Sequence, residues 1–294
     1  MSHAPVKQSR HPLKLAWRIL DLSLRPGGHT GRLVQASYDR IAAGYDDAWT
    51  QHNRGLTLAM LDRLTPPAGA QCVDLACGTG FVTAELSRRT GRRAIGVDAS
   101  PGMLGVARRQ HGDACEFVEA DVLGWLRSRP ARSADIITCA WALGYSQPWA
   151  VIRESARVLR PGGRVGIIDN TLFSLAGVLW TSLQAFSEAP EALAHVMRVW
   201  FLPHSAVLAS LVHWAGLRVR YNADGAKTYS VPDGAAAIAR LTATGAAAGF
   251  EFAAAAEHKE RVFARFAEIL EQRCHTATGI PITHRWLAAI GERP

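Results

Sequence analysis

The stretch Val73-Asp74-Leu75-Ala76-Cys77-Gly78-Thr79-Gly80-Phe81 restricts this chain more than any other. It begins apolar, gains an acid and ends in a Gly-x-Gly turn, after which Thr83-Ala84-Glu85-Leu86 open a helical pattern. A buried parallel strand, a tight turn without bulky side chains and a helix N-terminus satisfy that order. The turn lets backbone approach a ligand closely, and the free N–H groups of the helix start favour a carboxylate or a phosphate.

A lone Gly-x-Gly decides little, so the residues after it carry the argument. Ala94-Ile95-Gly96-Val97-Asp98 reads as a second strand ending in an acid. The acid falls about 20 residues past the turn, where a parallel sheet presents a carboxylate to ribose hydroxyls. Thr83 stands where the full dinucleotide fingerprint has its third small residue, and no lysine follows Gly80 as a P-loop requires. The pattern suits a nucleoside carrying a carboxylate better than one carrying a pyrophosphate.

With Asp74-Leu75-Ala76-Cys77-Gly78-Thr79-Gly80 followed by Val97-Asp98-Ala99-Ser100-Pro101-Gly102-Met103-Leu104, the chain resembles class I S-adenosylmethionine-dependent methyltransferases. Three further pieces agree in order: Phe117 to Val122, Ala134 to Cys139, and Arg157 to Val165 through Pro161-Gly162-Gly163. Upstream, Tyr38-Asp39-Arg40-Ile41-Ala42-Ala43-Gly44-Tyr45-Asp46 resembles the lid of the quinone-biosynthesis-like branch. The resemblance covers roughly residues 34 to 170, with Ala76 where many members carry a first glycine. It implies an α/β, doubly wound, Rossmann-like sheet of seven strands in the order 3-2-1-4-5-7-6, the last antiparallel, with helical insertions forming a cap. It also implies S-adenosyl-L-methionine as cofactor. Carried over residue by residue, Asp98 with Ala99 binds the ribose, and Asp74, Ala76, Gly78 and Gly80 form the turn against the cofactor. Met103 packs on the adenine, Asp121 and Val122 meet its edge, and the backbone at Cys139 meets the methionine amine. Tyr38 and Tyr45, seven residues apart, share a face if one helix carries both, and close over the sulfonium with cation–π attraction.

The 294 residues, 48% of them hydrophobic, form a full core. The 33 Lys and Arg against 25 Asp and Glu give a net +8, consistent with an arginine-rich solvated surface, an acidic substrate or an anionic membrane. No lysine-rich block or aromatic-and-basic repeat points to nucleic acid. Five cysteines with no CxxC pair, three on or beside expected central strands, argue for a reducing, cytoplasmic setting and against disulfides or a zinc site. No metal site is expected.

The expected organisation is an N-terminal amphipathic helical extension over 1–33, a cofactor-binding core over 34–170 and a helical cap insertion over 171–204. The core ends over 205–231 (helix and strand six, Leu217 to Asn222), a helical insertion spans 232–279, and a closing strand, Ile282 to Ile290, lies within 280–294. Residues 1 to 11 read as a frayed polar start, and Pro26-Gly27-Gly28 as the stop of a helix from Pro12 to Arg25. That helix carries an apolar stripe of Leu13, Trp17, Leu20 and Leu24, widened by Leu15, Ile19 and Leu22. It either packs on the body or a partner subunit, perhaps in a homodimer, or rests on a membrane surface through residues 12–25.

Thr171 to Phe186 carries no charge and repeats Leu172, Leu175, Leu179, Leu183 and Phe186 at helical spacing. Trp141, Tyr145, Phe173, Trp180, Trp200 and Phe201 are the candidates for an apolar substrate pocket, which points to an aromatic, polyketide-like, quinone or lipid acceptor. For a general base, Tyr145 and His195 stand ahead of Asp169 and His204. The expected function is transfer of a methyl group to a hydrophobic small molecule by in-line displacement. Two alternatives stay open: a membrane-associated lipid or quinone methyltransferase, and a cofactor-binding relative that has lost methyl transfer and serves as a non-redox cyclase or partner subunit.

Overall fold

Short apolar strands alternating with amphipathic helices enforce parallel pairing, because each helix returns the chain to the same end of the sheet. The computed structural model describes residues 10–25, 30–245 and 248–294. The elements begin with α1 (Pro12–Leu24), α2 (Thr30–Ile41), α3 (Gln51–Leu64), β1 (Cys72–Leu75), α4 (Phe81–Thr90), β2 (Ala94–Asp98) and α5 (Pro101–His111). There follow β3 (Cys115–Glu119), α6 (Val122–Ser128), β4 (Ala134–Ala140), α7 (Pro148–Val158) and β5 (Leu159–Asn170). The chain closes with α8 (Ala176–Glu188), α9 (Ser205–Trp214), β6 (Arg218–Val231), α10 (Gly234–Ala243), α11 (Lys259–Cys274) and β7 (Ile280–Glu292).

The sheet has the order β3-β2-β1-β4-β5-β7-β6, as expected. Strand β7 alone runs antiparallel to its neighbours β5 and β6. Helices α6, α7 and α9 bury Trp125, Leu126, Ile152, Leu208 and Val212 on one face. On the other face α3 and α4 bury Met60, Leu61, Leu64 and Leu86 against Ile136, Ile168 and Ile290. The C-terminal ends of β1, β2, β3 and β4 fall along one edge, where such sheets bind ligands.

Strand six is longer than the expected Leu217 to Asn222, and the closing strand runs beyond Ile282 to Ile290 at both ends. The two pair without a gap from Arg218↔Glu292 to Val231↔Ile280, apart from a bulge between Val219 and Tyr221. Gly225 pairs with Trp286 within this ladder and leaves room for its ring, from which a Cβ would lie 2.4 Å. The extended tip holds a second core. There Leu15, Phe186, Leu241, Phe266, Ile269 and Leu270 of α1, α8, α10 and α11 gather with Ile280 and Ile282.

Both apolar stripes divide between core and surface, and of the second one Leu175 and Phe186 are buried. In α1 the body takes Leu15 and half-buries Ile19 and Leu22, whereas Leu13, Trp17, Leu20 and Leu24 point outward. In α8 the buried face is Val178, Thr181, Ser182, Gln184, Ala185 and Phe186, and Leu179, Trp180 and Leu183 are exposed. Residues 1–9 of the expected frayed start and the Pro26-Gly27-Gly28 stop lie outside the described residues. His11 is tied down, its N–H donating to the Ser187 carbonyl at 2.7 Å.

Helix α10 starts against α11 with no room to spare. A Cβ on Gly234 would lie 2.1 Å from the Ala267 carbonyl oxygen. Gly234→Ala should therefore cost about 1–3 kcal/mol in urea unfolding. A stability equal to wild type would show that the two helices do not meet this closely.

Candidate active site

The turn after β1 sets the geometry. Ala76, Gly78 and Gly80 all take left-handed backbone, with φ of 52°, 55° and 88°. The two glycines serve different ends. A Cβ on Gly80 would lie 2.9 Å from the Phe117 ring, so this glycine admits a side chain of β3. A Cβ on Gly78 would meet nothing within 4 Å, so this glycine leaves backbone open to a ligand. Ala76 holds its conformation at a cost of roughly 1–2 kcal/mol, which the surroundings must hold in place.

Beneath the turn Asp74 is 1% exposed. Thr83 of α4 and Thr138 of β4 donate to its two oxygens at 2.7 and 2.8 Å. Burial pushes its carboxyl up to about 7, against the pull of the two threonine hydrogen bonds. Gly96 makes room, since a Cβ there would lie 2.8 Å from both Cys77 Sγ and Thr83 Oγ1. Asp98 closes the neighbouring strand. The backbone N–H groups of Gly78 and Ser100 each donate to one of its oxygens at 2.8 Å. Burial raises its carboxyl, opposed by these backbone hydrogen bonds. Asp121 caps α6, accepting from the Gly124 N–H at 2.7 Å.

A crevice runs across these strand ends in two lobes that share Tyr45, Ala76, Gly78, Ala140 and Trp141. The larger lobe, about 180 Å³, takes Asp98, Ala99, Met103, Asp121, Val122 and Tyr145 among its walls. The smaller takes Trp49, Asn53, Thr57, Asp74 and Thr79. The segment after α2 roofs both. A 3-10 turn (Ala42–Gly44) and a π-helical turn (Asp46–Thr50) carry it into α3. Tyr38 and Tyr45 therefore do not share one regular helix, yet their rings still meet edge to face at 5.9 Å. Their acids fasten the roof. Asp39 accepts from Ser100 Oγ at 2.5 Å and from the Gly102 N–H at 2.9 Å. Asp46 accepts from Thr79 and Thr50 hydroxyls at 2.6 and 2.8 Å.

Most of the residues expected at the cofactor site are brought together here. Gly80 supports the turn without lining the crevice. Cys139 is turned into the core at 3% exposure, and the next residue, Ala140, lines both lobes. Asp39, Asp46, Trp49, Asn53 and Ala140 are the residues that sequence reasoning missed. The signal for the two acids was present, since Tyr-Asp repeats at a spacing of seven.

The expected substrate and base residues divide. Trp141 lines both lobes with left-handed backbone, φ 65°, and its indole N–H donates to Thr57 Oγ1 at 2.9 Å. Phe201 packs on Tyr145 at 5.3 Å. Phe173, Trp180 and Trp200 are 53–62% exposed and none lines the crevice; Trp180 sits on the outward face of α8, and the other two lie outside that helix. His195 lines a separate apolar cavity with Ile19, Leu179, Phe186 and Met197. His204 is exposed at the start of α9. Tyr145 reaches the crevice, but burial keeps its phenol protonated and its hydroxyl donates to the Gly245 carbonyl at 3.1 Å. Asp169 is 2% exposed, accepts from the Gly144 and Asn170 N–H groups at 2.7 Å each, and is pushed by burial up to about 7.

Asp74 and Asp169 give the fold a pH signature. Each carboxyl moves from an ordinary 3.8 to about 7 by burial. Between those values the folded state binds more protons than the unfolded chain, so stability falls as pH rises from about 4 through about 7. Asp74→Asn keeps an acceptor for the threonines and removes one proton from that slope. Urea unfolding across this range should show a shallower decline in the variant, and an unaltered slope would show that Asp74 ionises freely.

A methyltransferase-domain family profile matches residues 72–163. A demethylmenaquinone methyltransferase of Corynebacterium kroppenstedtii is 31% identical over 196 residues, covering 60% of this chain and 77% of that protein. A 2-phytyl-1,4-naphtoquinone methyltransferase of Thermosynechococcus vestitus is 30% identical over 221 residues, covering 61% and 96%. Among solved structures, the cyclase SpnF superposes with a TM-score of 0.54 at 18% identity, covering 84% of each chain, a likeness of fold alone. With the strand order, the glycine turn and the acid at the end of β2 in place, the chain belongs to the class I S-adenosylmethionine-dependent methyltransferases, in their quinone-biosynthesis-like branch.

Proposed function

We propose that this protein binds S-adenosyl-L-methionine in the crevice and methylates an aromatic, quinone-like small molecule. The observation that carries the cofactor reading is the Asp98 carboxylate, anchored by the Gly78 and Ser100 N–H groups beside backbone that nothing covers. The residues fit such a ligand. Asp98, Ala99, Met103, Asp121 and Val122 would hold the adenosine in the larger lobe. Asn53 lines the smaller lobe, is 2% exposed and leaves both amide atoms unpartnered, as suits the amino-acid end of the cofactor. When bound, the cofactor supplies a methyl group on a sulfonium. The chain's own part is to hold it, to place Tyr38 and Tyr45 near the positive centre, and to exclude water beneath the roof.

The acceptor class rests on the named relatives, which act on a demethylated menaquinone and a phytyl naphthoquinone, and on the aromatic walls of Trp49, Trp141 and Tyr145. The cyclase likeness is one of fold and does not favour a chain that has lost methyl transfer. Calorimetric titration with S-adenosylhomocysteine tests the first part. Asp98→Ala should weaken binding about 10–100-fold, as loss of hydrogen bonds to a charged group does. Wild type that fails to bind would sink the cofactor reading. Methyl-labelled cofactor with a reduced prenyl naphthoquinone tests the second part, and binding without transfer to that acceptor would reject the acceptor class.

A second reading concerns a surface. Leu13, Trp17, Leu20 and Leu24 of α1 are 46–77% exposed, and Leu179, Trp180 and Leu183 of α8 continue the patch at 41–62%. An apolar groove between the helices is rimmed by Arg10 and Arg273, with Lys14 exposed on α1 nearby. We infer that this face rests on an anionic bilayer. Exposed tryptophans, Trp17 and Trp180, beside Lys14 and Arg273 suit the headgroup region of such a bilayer. No helix of the described residues is long and apolar enough to cross a membrane, so contact would be peripheral. The protein should float with vesicles containing phosphatidylglycerol and not with pure phosphatidylcholine, and Trp17→Glu with Leu24→Glu should abolish flotation. No flotation of wild type, or a dimer broken by the same substitutions, would overturn this reading.

A further inference from the structure

Buried polar atoms without partners are rare in folded proteins, and each calls for a cause. Among the described residues six side-chain atoms stand so, and four of them belong to His52, Asn53 and His284. Asn53 faces the smaller lobe of the crevice. The orphans of the histidines, His52 Nε2 and His284 Nδ1, belong to a separate cluster.

Topology places that cluster. Trp286 pairs with Asn170, the last residue of β5, so His284 lies two residues past the C-terminal strand end, on the side where the crevice opens. By strand alternation it shares a face with Trp286, Ala288 and Ile290, which pack toward α3. His52 comes from the second residue of α3 and Tyr229 from β6. The His52 ring stands 5.8 Å from His284 and 4.9 Å from Tyr229, and Tyr229 stacks on His284 at 5.7 Å. Trp49 connects the cluster to the crevice. It lines the smaller lobe, and its ring meets His284 at 5.1 Å and Trp141 at 5.8 Å. Trp49 is carried by the π-helical turn, a rare conformation often found at functional sites. The imidazoles lie behind this buried ring and line neither lobe, so a ligand in the crevice reaches them only when Trp49 turns aside.

The charged groups facing the pair are cations. Lys227 Nζ donates to the His52 carbonyl, and Arg240 lies 5.4 Å over the Tyr229 ring while donating to the Ala48 carbonyl at 2.7 Å. Burial first, then these cations, lower His52 to about 4, and burial, His52, Arg240 and Lys227 do the same for His284. Both rings are therefore neutral at physiological pH. His284 Nε2 meets the Tyr229 hydroxyl at 3.5 Å, so the nitrogens left for a ligand are His52 Nε2 and His284 Nδ1, each a donor or an acceptor according to its tautomer. Such a site repels a sulfonium and suits oxygens that carry partial or full negative charge.

We infer that His52, His284 and Tyr229 form the polar end of the methyl-acceptor site and hydrogen-bond the ring oxygens of an aromatic diol. The inference rests on the acceptor class proposed above. It makes the three side chains positioning residues. They orient the ring, and a hydrogen bond from a ring hydroxyl to a neutral imidazole pushes electron density toward the carbon or oxygen that takes the methyl group.

The test uses binding, so that it does not depend on turnover. The full-length protein is saturated with S-adenosylhomocysteine and titrated anaerobically with naphthalene-1,4-diol, with 1-naphthol as the probe lacking one hydroxyl. Wild type should prefer the diol. His284→Phe and His52→Phe should each weaken diol binding about tenfold or more and erase the preference, while leaving S-adenosylhomocysteine affinity unchanged. His284→Gln, which keeps a donor and an acceptor, should restore part of the preference and guards against a phenylalanine variant that misfolds. The inference is overturned if wild type holding S-adenosylhomocysteine ignores the diol, or if the histidine variants bind it as wild type does. Wild type that does not bind S-adenosylhomocysteine would instead bring down the cofactor reading, a separate outcome.

Discussion

The buried Asp74 carboxyl under the glycine turn is the contact on which the rest depends. Its two hydrogen bonds join β1 to β4 through Thr138 and to α4 through Thr83, both threonines fully buried. An apolar residue of equal size would avoid the desolvation cost, but it would not set the rotation of α4 relative to the strands. That rotation matters because three left-handed residues must follow one another at alternate positions. Thr83, which departs from the dinucleotide pattern, is thus a requirement of this turn, and Gly96 on the neighbouring strand is its complement.

The roof over the turn is fixed by acids, and its aromatics follow. Asp39 holds the start of α5 and Asp46 holds the turn itself through Thr79. Tyr38 and Tyr45, each one residue earlier, are set against one another, and Tyr38 also against Tyr145. A further acid, Glu251, accepts from Ser37 and from Arg40 at 2.6 Å, so the loop after α10 is tied to the same helix. The helical block between β6 and β7 therefore belongs to the site as well as to the second core.

The parallel part of the sheet was legible because β1 to β4 are short, mostly apolar and separated by turn chemistry that few conformations satisfy. Asp98 could be placed for the same reason. The faces of α1 and α8 could not. In α8 the inward side chains include Thr181, Ser182 and Ser187, which look solvated in sequence but satisfy themselves on carbonyls three residues back in their own helix. In α1 apolar residues lie on two faces, and spacing does not say which one a body will cover. The histidine pair was hidden for a different cause. His52 of α3 and His284 of β7 are distant in sequence, and the pairing of β6 with β7 beyond Asn222 sets Tyr229 beside them.

The charge of the site runs against that of the chain. Although the whole sequence carries +8, the crevice is lined by Asp74, Asp98 and Asp121, with Asp39 and Asp46 fastening its roof. Beyond Trp49 the sign reverses, with Lys227 and Arg240 facing two neutral imidazoles. Net charge describes solubility and encounter, while a local field is set by the few groups that line it. On the reading proposed here, the negative end would receive a cationic sulfonium and the positive end an electron-rich oxygen. Methyl transfer carries positive charge away from the acids and toward the cations, against that gradient, so these fixed charges serve to sort and bind the two reactants and do not by themselves lower the barrier. A purely apolar pocket of the same shape would orient the reactants but supply no such gradient.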